Sequence, residues 1–238
     1  MTTVTVADPS SRASKGLPTE FKNDMVWDGV TLASEYNWTY VLTPDQLDEL
    51  DAALAHFKSL GLPLGYISQE TFPLPKLHAE LRKLSYELHN GHGFFAIRGL
   101  RVDEHTRGEN IIIYAGLSSR IAPNVVDLSL TKEKGQIGSP TYTADKQVFH
   151  TDAGDIVSLF ALSTAAEGGK SIRKLASIAR HFEVDEIPPI AEAQAEALDT
   201  LHSLGDKFAV NLDFQKGDIQ YANNMGIFHA RDGFTDTP

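Results

Sequence analysis

The sequence contains no cysteine, and this absence excludes several kinds of chemistry. Disulfide bonds, zinc sites built from thiolates and cysteine nucleophiles are all ruled out, so any metal must be bound by His, Asp or Glu. A chain without cysteine suits the reducing conditions of the cytoplasm, which is where we expect this protein to act.

Long apolar runs and several common motifs are missing as well. The longest apolar stretches, such as residues 156–162, have the length of a strand and are too short to cross a bilayer. No G-x-G-x-x-G or P-loop is present to bind phosphate groups, and no G-x-S-x-G is present to expose a hydrolase serine. These absences disfavour a membrane protein, a nucleotide site of these types and a hydrolase triad.

Positive charge is also scarce. The chain has 21 Lys+Arg against 32 Asp+Glu, a net charge of −11, and no run of basic residues. This balance disfavours binding to nucleic acid or to an anionic membrane surface, although one or two local cations suffice for a small anionic ligand. We expect small molecules as partners, and no pattern in the sequence indicates an oligomeric state.

The sequence predicts a short tail followed by one domain. Residues 1–20 are rich in Thr, Ser and Ala, with neither the basic start nor the apolar stretch of a signal peptide, and are interpreted as a mobile tail. Residues 21–238 contain no repeat and no low-complexity linker, so a single domain is the simpler prediction.

Helices are predicted first along the chain and short strands after them. Thr43 before Pro44 is typical of a helix start, and Gly61 of its end. Further helices are predicted up to Asn90-Gly91, over residues 110–121 and over residues 189–204, the last with Leu201 on its apolar face. Strands are predicted over residues 93–99, 125–130, 142–149, 156–162, 208–214 and 218–228. This order indicates an α+β chain whose second part is a β-sandwich or jelly roll.

The most informative feature is His150-Thr151-Asp152 together with the distant His229. A His and an Asp two residues apart point to the same side of a strand or of the turn after it. Two imidazoles and one carboxylate are the ligands that non-haem Fe(II) oxygenases place on one face of the iron, which leaves three positions for a co-substrate and O2. His229 follows a strand-like segment and is the candidate third ligand.

Other interpretations of these residues stay open. The pair His150 and Asp152 can also be a hydrogen-bonded pair at a turn, with His229 as a core residue. His89 and His92 flank a turn and show no carboxylate in register, which disfavours a metal role for them, and His105 and His202 look isolated. A cupin-like metal protein is disfavoured because its usual cluster of several histidines is not seen.

Three segments carry a resemblance to a known family. They are residues 146–155 (KQVFHTDAGD), residues 167–171 (EGGKS) and residues 216–234 (KGDIQYANNMGIFHARDGF). With these segments, the chain from about Trp38 onward resembles the taurine dioxygenase-like (TauD/TfdA) family of Fe(II)/2-oxoglutarate dioxygenases. It is especially similar to the clavaminate synthase-like members of that family.

The resemblance implies a fold, an activity and a site. The fold is a double-stranded β-helix, or jelly roll, flanked by N-terminal helices, with the iron at one mouth of the roll. The activity is oxidation of a small organic substrate by O2, with 2-oxoglutarate converted into succinate and CO2. By the same resemblance His150, Asp152 and His229 are the catalytic iron ligands, and Ser171 is the hydroxyl that meets 2-oxoglutarate.

Two departures from the family raise a second hypothesis. The family places an arginine for 2-oxoglutarate on a strand well beyond the distal histidine, whereas Arg231 lies close to His229 and on the wrong alternation to replace it. The stretch of residues 172–187 is also short, which removes strands of the roll and part of the substrate wall. The alternative to a dioxygenase is therefore a non-catalytic remnant of the same fold.

Overall fold

The computed structural model describes residues 23–122, 147–152, 154–165, 167–168, 191–231 and 233–235. The described helices, in chain order, are α1 (Gly29–Glu35), α2 (Pro44–Leu60), α3 (His78–Asn90), α4 (Arg107–Ile121) and α5 (Glu192–Phe208), with a short 3-10 turn at Leu64–Tyr66. The described strands are β1 (Thr39–Val41), β2 (Phe94–Arg98), β3 (Gln147–His150), β4 (Ile156–Phe160), β5 (Glu167–Gly168), β6 (Ile219–Asn223), β7 (His229–Arg231) and β8 (Phe234–Thr235). This mixture confirms the α+β prediction.

The largest sheet has four strands in the order β1-β2-β6-β4. β1 runs parallel to β2, and β6 pairs antiparallel with β2 on one side and with β4 on the other. Two further pairs, β3-β7 and β5-β8, form separate two-stranded sheets. The strands that the structure describes do not close into a barrel, so the jelly roll remains a prediction.

Short-range chemistry explains where the long helices begin and end. The Thr43 hydroxyl accepts a hydrogen bond from the Gln46 amide and the Gln46 side chain accepts one from the Thr43 amide, which is a capping box at the start of α2. Gly61 ends this helix at a φ of 64°, a conformation that glycine adopts without strain. Thr106 and Glu109 repeat the capping box, and α4 therefore starts three residues before the predicted position 110.

The core fills both faces of the central sheet. On one face α2, α3 and α4 pack against Phe95, Ile97 and Tyr221, with the Tyr221 hydroxyl 2.8 Å from that of Ser118. On the other face Phe94 packs in a second cluster with Leu32, Val210, Leu212 and Ala222. Adjacent residues of a strand point to opposite faces, so burial on both faces explains the uninterrupted apolar start of β2.

The predicted strand over residues 208–214 is wrong. Phe208 is the last residue of α5, and the segment after it belongs to no strand. Val210 and Leu212 are nevertheless buried in the second cluster while Asn211 between them is exposed. The alternation that predicted a strand is thus explained by a segment outside any strand that buries alternate residues in the second cluster.

Several other boundaries also differ. β6 ends at Asn223 and a turn follows, whereas the prediction continued the strand to residue 228. α5 runs to Phe208 rather than to residue 204, and Leu201 on its predicted apolar face is 46% exposed while His202 is buried. The strand predicted over residues 125–130 lies outside the described residues. No helix in the described ranges has the length and apolar character to cross a membrane.

The two glycines of α4 are expected to respond in opposite ways to substitution by alanine. At Gly116 an added Cβ would overlap the ring of the fully buried Phe72, whereas at Gly108 it would meet nothing within 4 Å. Gly116→Ala should lower the free energy of unfolding by about 1–3 kcal/mol through overpacking. Gly108→Ala should leave it unchanged or raise it by up to about 1 kcal/mol, because alanine is the better helix former.

Urea denaturation followed by circular dichroism measures both changes. Equal free energies of unfolding for Gly116→Ala and the parent chain would contradict the packing described for α4 against Phe72.

Candidate metal centre

The strand pair β3-β7 brings two histidines together. His150 is the last residue of β3, His229 is the first residue of β7, and the two are direct partners in the antiparallel register. Directly opposite residues share one face of a strand pair. Their imidazole rings accordingly lie 4.3 Å apart between centroids, at an interplanar angle of 55°.

Asp152 follows β3 in the next turn and turns its carboxylate back towards both rings. Its Oδ2 lies 3.2 Å from Nε2 of His229, and its Oδ1 lies 3.7 Å from Nε2 of His150. The structure therefore brings together all three ligands predicted from the sequence. Each offers one ligand atom, and these three atoms all lie within 4.8 Å of one another.

The spacing of the three side chains suits one small divalent ion. Ligand atoms about 2.1 Å from a metal lie about 3 Å apart when they are at right angles and about 4.2 Å apart when they are opposite, and the three ligand atoms here all lie within 4.8 Å of one another. The Asp152 side chain is 52% exposed, whereas His229 is 17% exposed. An ion at this point would be enclosed on the side of the histidines and open on the side of the carboxylate.

The electrostatics of His229 favour the form that can bind a metal. Burial lowers the pKa of His229 and the nearby His150 lowers it further, while the Asp152 carboxylate acts in the opposite direction. The imidazole is therefore neutral over a wider pH range than an exposed histidine. Its Nδ1 is buried without a hydrogen-bond partner among the described residues, which leaves Nε2, facing Asp152, as the ligand atom.

A helix supports the strand that carries His150. The ring of Phe149 lies edge-on against His202 of α5, with centroids 5.3 Å apart. A Cβ on Gly205, one turn further along the same helix, would come within 2.9 Å of the Phe149 ring. The absence of a side chain at Gly205 thus lets α5 approach β3 closely.

A residue that the sequence analysis missed also contributes to the site. Asn224, in the turn after β6, is buried and its side chain is hydrogen-bonded to the main chain of Asp152. An asparagine in a turn is an ordinary sequence signal for local hydrogen bonding. Nothing in that signal indicates a partner 72 residues away.

Two further predictions concern the 2-oxoglutarate end of the site. Ser171 lies outside the described residues, and its role stays a prediction. The predicted alternation of Arg231 is wrong, because Arg231 and His229 lie two residues apart on β7, both half-buried, with the buried Ala230 between them. Residues two apart in a strand point to the same side, so Arg231 shares the side of His229.

Two histidines outside this group have carboxylate partners that the sequence did not reveal. Nδ1 of His92 contacts Glu87, and the His92 ring stacks on Tyr36 with centroids 4.0 Å apart. Nε2 of His105 lies 3.1 Å from Asp51. These are pairs, and within the described part of the chain the only group of three metal-binding side chains is that of His150, Asp152 and His229.

Two curated proteins are similar to this chain. The taurine hydroxylase-like protein SAT17 of Stachybotrys chartarum is 28% identical over 306 aligned positions, covering 97% of this chain and 79% of that protein. The FR-33289 synthase of Streptomyces rubellomurinus is 25% identical over 158 positions, covering 61% of this chain and 46% of that protein. The longer alignment exceeds the 238 residues of this chain, so it includes gaps where SAT17 has additional residues.

The fold has a solved counterpart as well. The crystal structure of the non-heme iron oxygenase OrfP in complex with Fe and L-Arg superimposes with a TM-score of 0.54 at 15% sequence identity, covering 84% of this chain and 89% of that chain. The profile of the family described as taurine catabolism dioxygenase TauD, TfdA family matches residues 56–183 and 175–238. The ranges include all three residues of the candidate metal centre, and the chain belongs to the TauD, TfdA dioxygenase family.

Proposed function

We propose that this protein is an Fe(II)- and 2-oxoglutarate-dependent dioxygenase that oxidises a small organic substrate. The observation that carries the proposal is the convergence of His150, Asp152 and His229 on one point in a member of a dioxygenase family. In the overall reaction one oxygen atom of O2 enters the substrate as a hydroxyl group. The other enters 2-oxoglutarate, which becomes succinate and CO2.

The donor set supports iron as the metal. Two neutral imidazoles and one carboxylate neutralise only one of the two charges of a divalent ion, so an anionic co-substrate is still attracted to it. The names of the relatives point the same way, since one is called a taurine hydroxylase-like protein and the solved counterpart a non-heme iron oxygenase with bound Fe. Iron bound here would supply the redox chemistry with O2, which no side chain can supply.

The roles of the chain's own residues follow from their positions. His150 and His229 would fix two sides of the ion from a single strand pair, and Asp152 a third from the adjoining turn. The three remaining positions of the ion would be left for the co-substrate and O2. Ser171 is proposed to donate a hydrogen bond to 2-oxoglutarate, as the family resemblance implies.

The second candidate is a member of the family that binds metal without catalysis. It is favoured by the longer alignment with SAT17, which indicates that residues between the aligned segments are absent from this chain. Strands missing from a roll would leave unpaired edges and a weaker binding wall. The two candidates share the metal centre and differ in whether 2-oxoglutarate binds to it.

Metal binding is tested first with Co(II) alone, which resists oxidation by air. We expect one equivalent to bind, and we expect the affinity to fall at least about 10–100-fold in His150→Ala, Asp152→Ala and His229→Ala. Affinity should also fall as the pH drops, because protons compete for the imidazoles; the lowered pKa of His229 limits this loss at mildly acidic pH.

His105→Ala is the matched control for this titration, because His105 also lies beside an aspartate, 3.1 Å from Asp51. Its affinity for Co(II) should equal that of the parent chain. Equal affinity in the parent and in all three site variants would reject the metal centre.

An anaerobic titration with Fe(II) and 2-oxoglutarate separates the two candidates. For a dioxygenase we expect a weak, saturable charge-transfer band in the visible spectrum as 2-oxoglutarate chelates the iron, and no band in His150→Ala. Admission of O2 should then yield succinate. A folded protein that binds the metal but gives no band would exclude the dioxygenase and leave the second candidate.

A further inference from the structure

The side chain of Asn224 forms hydrogen bonds to the loop that carries Asp152. Its Oδ1 accepts a hydrogen bond from the main-chain amide of Asp152 at 2.9 Å. Its Nδ2 donates to the carbonyl of Asp152 and to the carbonyl of Gly154, both at 2.6 Å. The main-chain amide of Asn224 donates to the carbonyl of Asp155 at 2.9 Å. One residue thus holds the loop at three positions, and holds Asp152 on both sides of its Cα.

The loop needs such support because its described residues bury little of their own surface. Asp152, Gly154 and Asp155 are exposed, and Gly154 has a φ of 127°, which residues with a side chain rarely adopt. Asn224, in contrast, is only 2% exposed. The buried side-chain amide of Asn224 is therefore the rigid part of this region, and its hydrogen bonds hold the exposed loop in its conformation.

The chemistry of the contact explains why the residue is an amide. The Asp152 amide requires an acceptor, while the two carbonyls require a donor, and asparagine offers both within one planar group. A carboxylate would place negative charge against two carbonyl oxygens. A hydroxyl would be too short to serve all three groups.

The preceding asparagine makes different contacts. The Nδ2 of Asn223 donates to the carbonyl of Leu88 in α3 at 3.2 Å, and its Oδ1 accepts from the amide of Met225 at 3.1 Å. Asn223 therefore connects the turn to α3, and Asn224 connects it to the loop that carries Asp152. Two neighbouring residues of one type, with separate partners, provide a matched pair for experiment.

We propose that Asn224 is a positioning residue, which holds Asp152, Gly154 and Asp155 so that the Asp152 carboxylate lies at the point where the two imidazoles converge. The inference rests on the proposed metal centre and adds to it the residue that sets its third ligand. The physical benefit is preorganisation: the carboxylate is already in place, so its ordering does not have to be supplied by metal binding.

The first test compares Co(II) binding by Asn224→Ala and Asn223→Ala. Loss of an outer residue that orients a ligand weakens metal binding by about 10–100-fold, which is the loss expected for Asn224→Ala. Asn223→Ala should remain within about threefold of the parent chain, because the hydrogen bonds of its side chain go to Leu88 and Met225. Equal affinities for the parent and a folded Asn224→Ala would overturn the inference.

A double-mutant cycle distinguishes positioning from a general loss of structure. If Asn224 acts through the Asp152 carboxylate, Asn224→Ala should have little further effect on Co(II) affinity once Asp152 has been changed to Ala. A purely structural role would instead weaken binding by the same factor in both backgrounds. Additive effects in this cycle would therefore contradict the inference.

Gly154→Ala keeps the inference testable if Asn224→Ala does not fold. Gly154 is exposed and a Cβ there meets nothing within 4 Å, so alanine strains only the loop through its φ of 127°. We expect weaker Co(II) binding together with a nearly unchanged thermal midpoint. Unchanged binding by Gly154→Ala would overturn the inference, whereas failure of the parent chain to bind Co(II) would reject the metal centre itself.

Discussion

The antiparallel register of β4 against β6 is the constraint on which the site depends. Ile156, the first residue of β4, is paired with Asn223, the last residue of β6. The loop that precedes β4 and the turn that follows β6 must therefore meet at one end of the sheet. A shift of this register by one residue would move every side chain of β4 to the opposite face of the sheet, so the packing that fixes the register also fixes where Asp152 and Asn224 meet.

The parts of the fold that could be predicted depend on neighbouring residues. The ends of α2 follow from Thr43 and Gly61, whose capping chemistry acts within one helical turn. His150 and Asp152 could be proposed as metal ligands from their spacing, since residues two apart in or just after a strand point to the same side. The structure brings them close to His229 through the pairing of β3 with β7, which the sequence did not show.

The parts that could not be predicted depend on contacts between distant segments. Asn224 holds a loop 72 residues earlier in the chain, and its own sequence context indicates only a turn. Val210 and Leu212 alternate as in a strand because one side of an extended segment is buried, and alternation alone does not tell packing from pairing. The start of α4 at Arg107 is an exception, because the capping pattern of Thr106 and Glu109 lies within one helical turn and is visible in the sequence.

Among the strands that the structure describes, β3 and β7 pair only with each other, and this arrangement has a consequence for the energetics of the protein. An isolated two-stranded pair has little stability of its own, and this pair is supported by α5 through Phe149. An ion held between His150, Asp152 and His229 would cross-link the pair to the loop that Asn224 ties to the turn after β6. By mass action, binding of the ion would then raise the free energy needed to unfold this strand pair. Metal supply would thereby govern how long the protein survives proteases, independently of turnover.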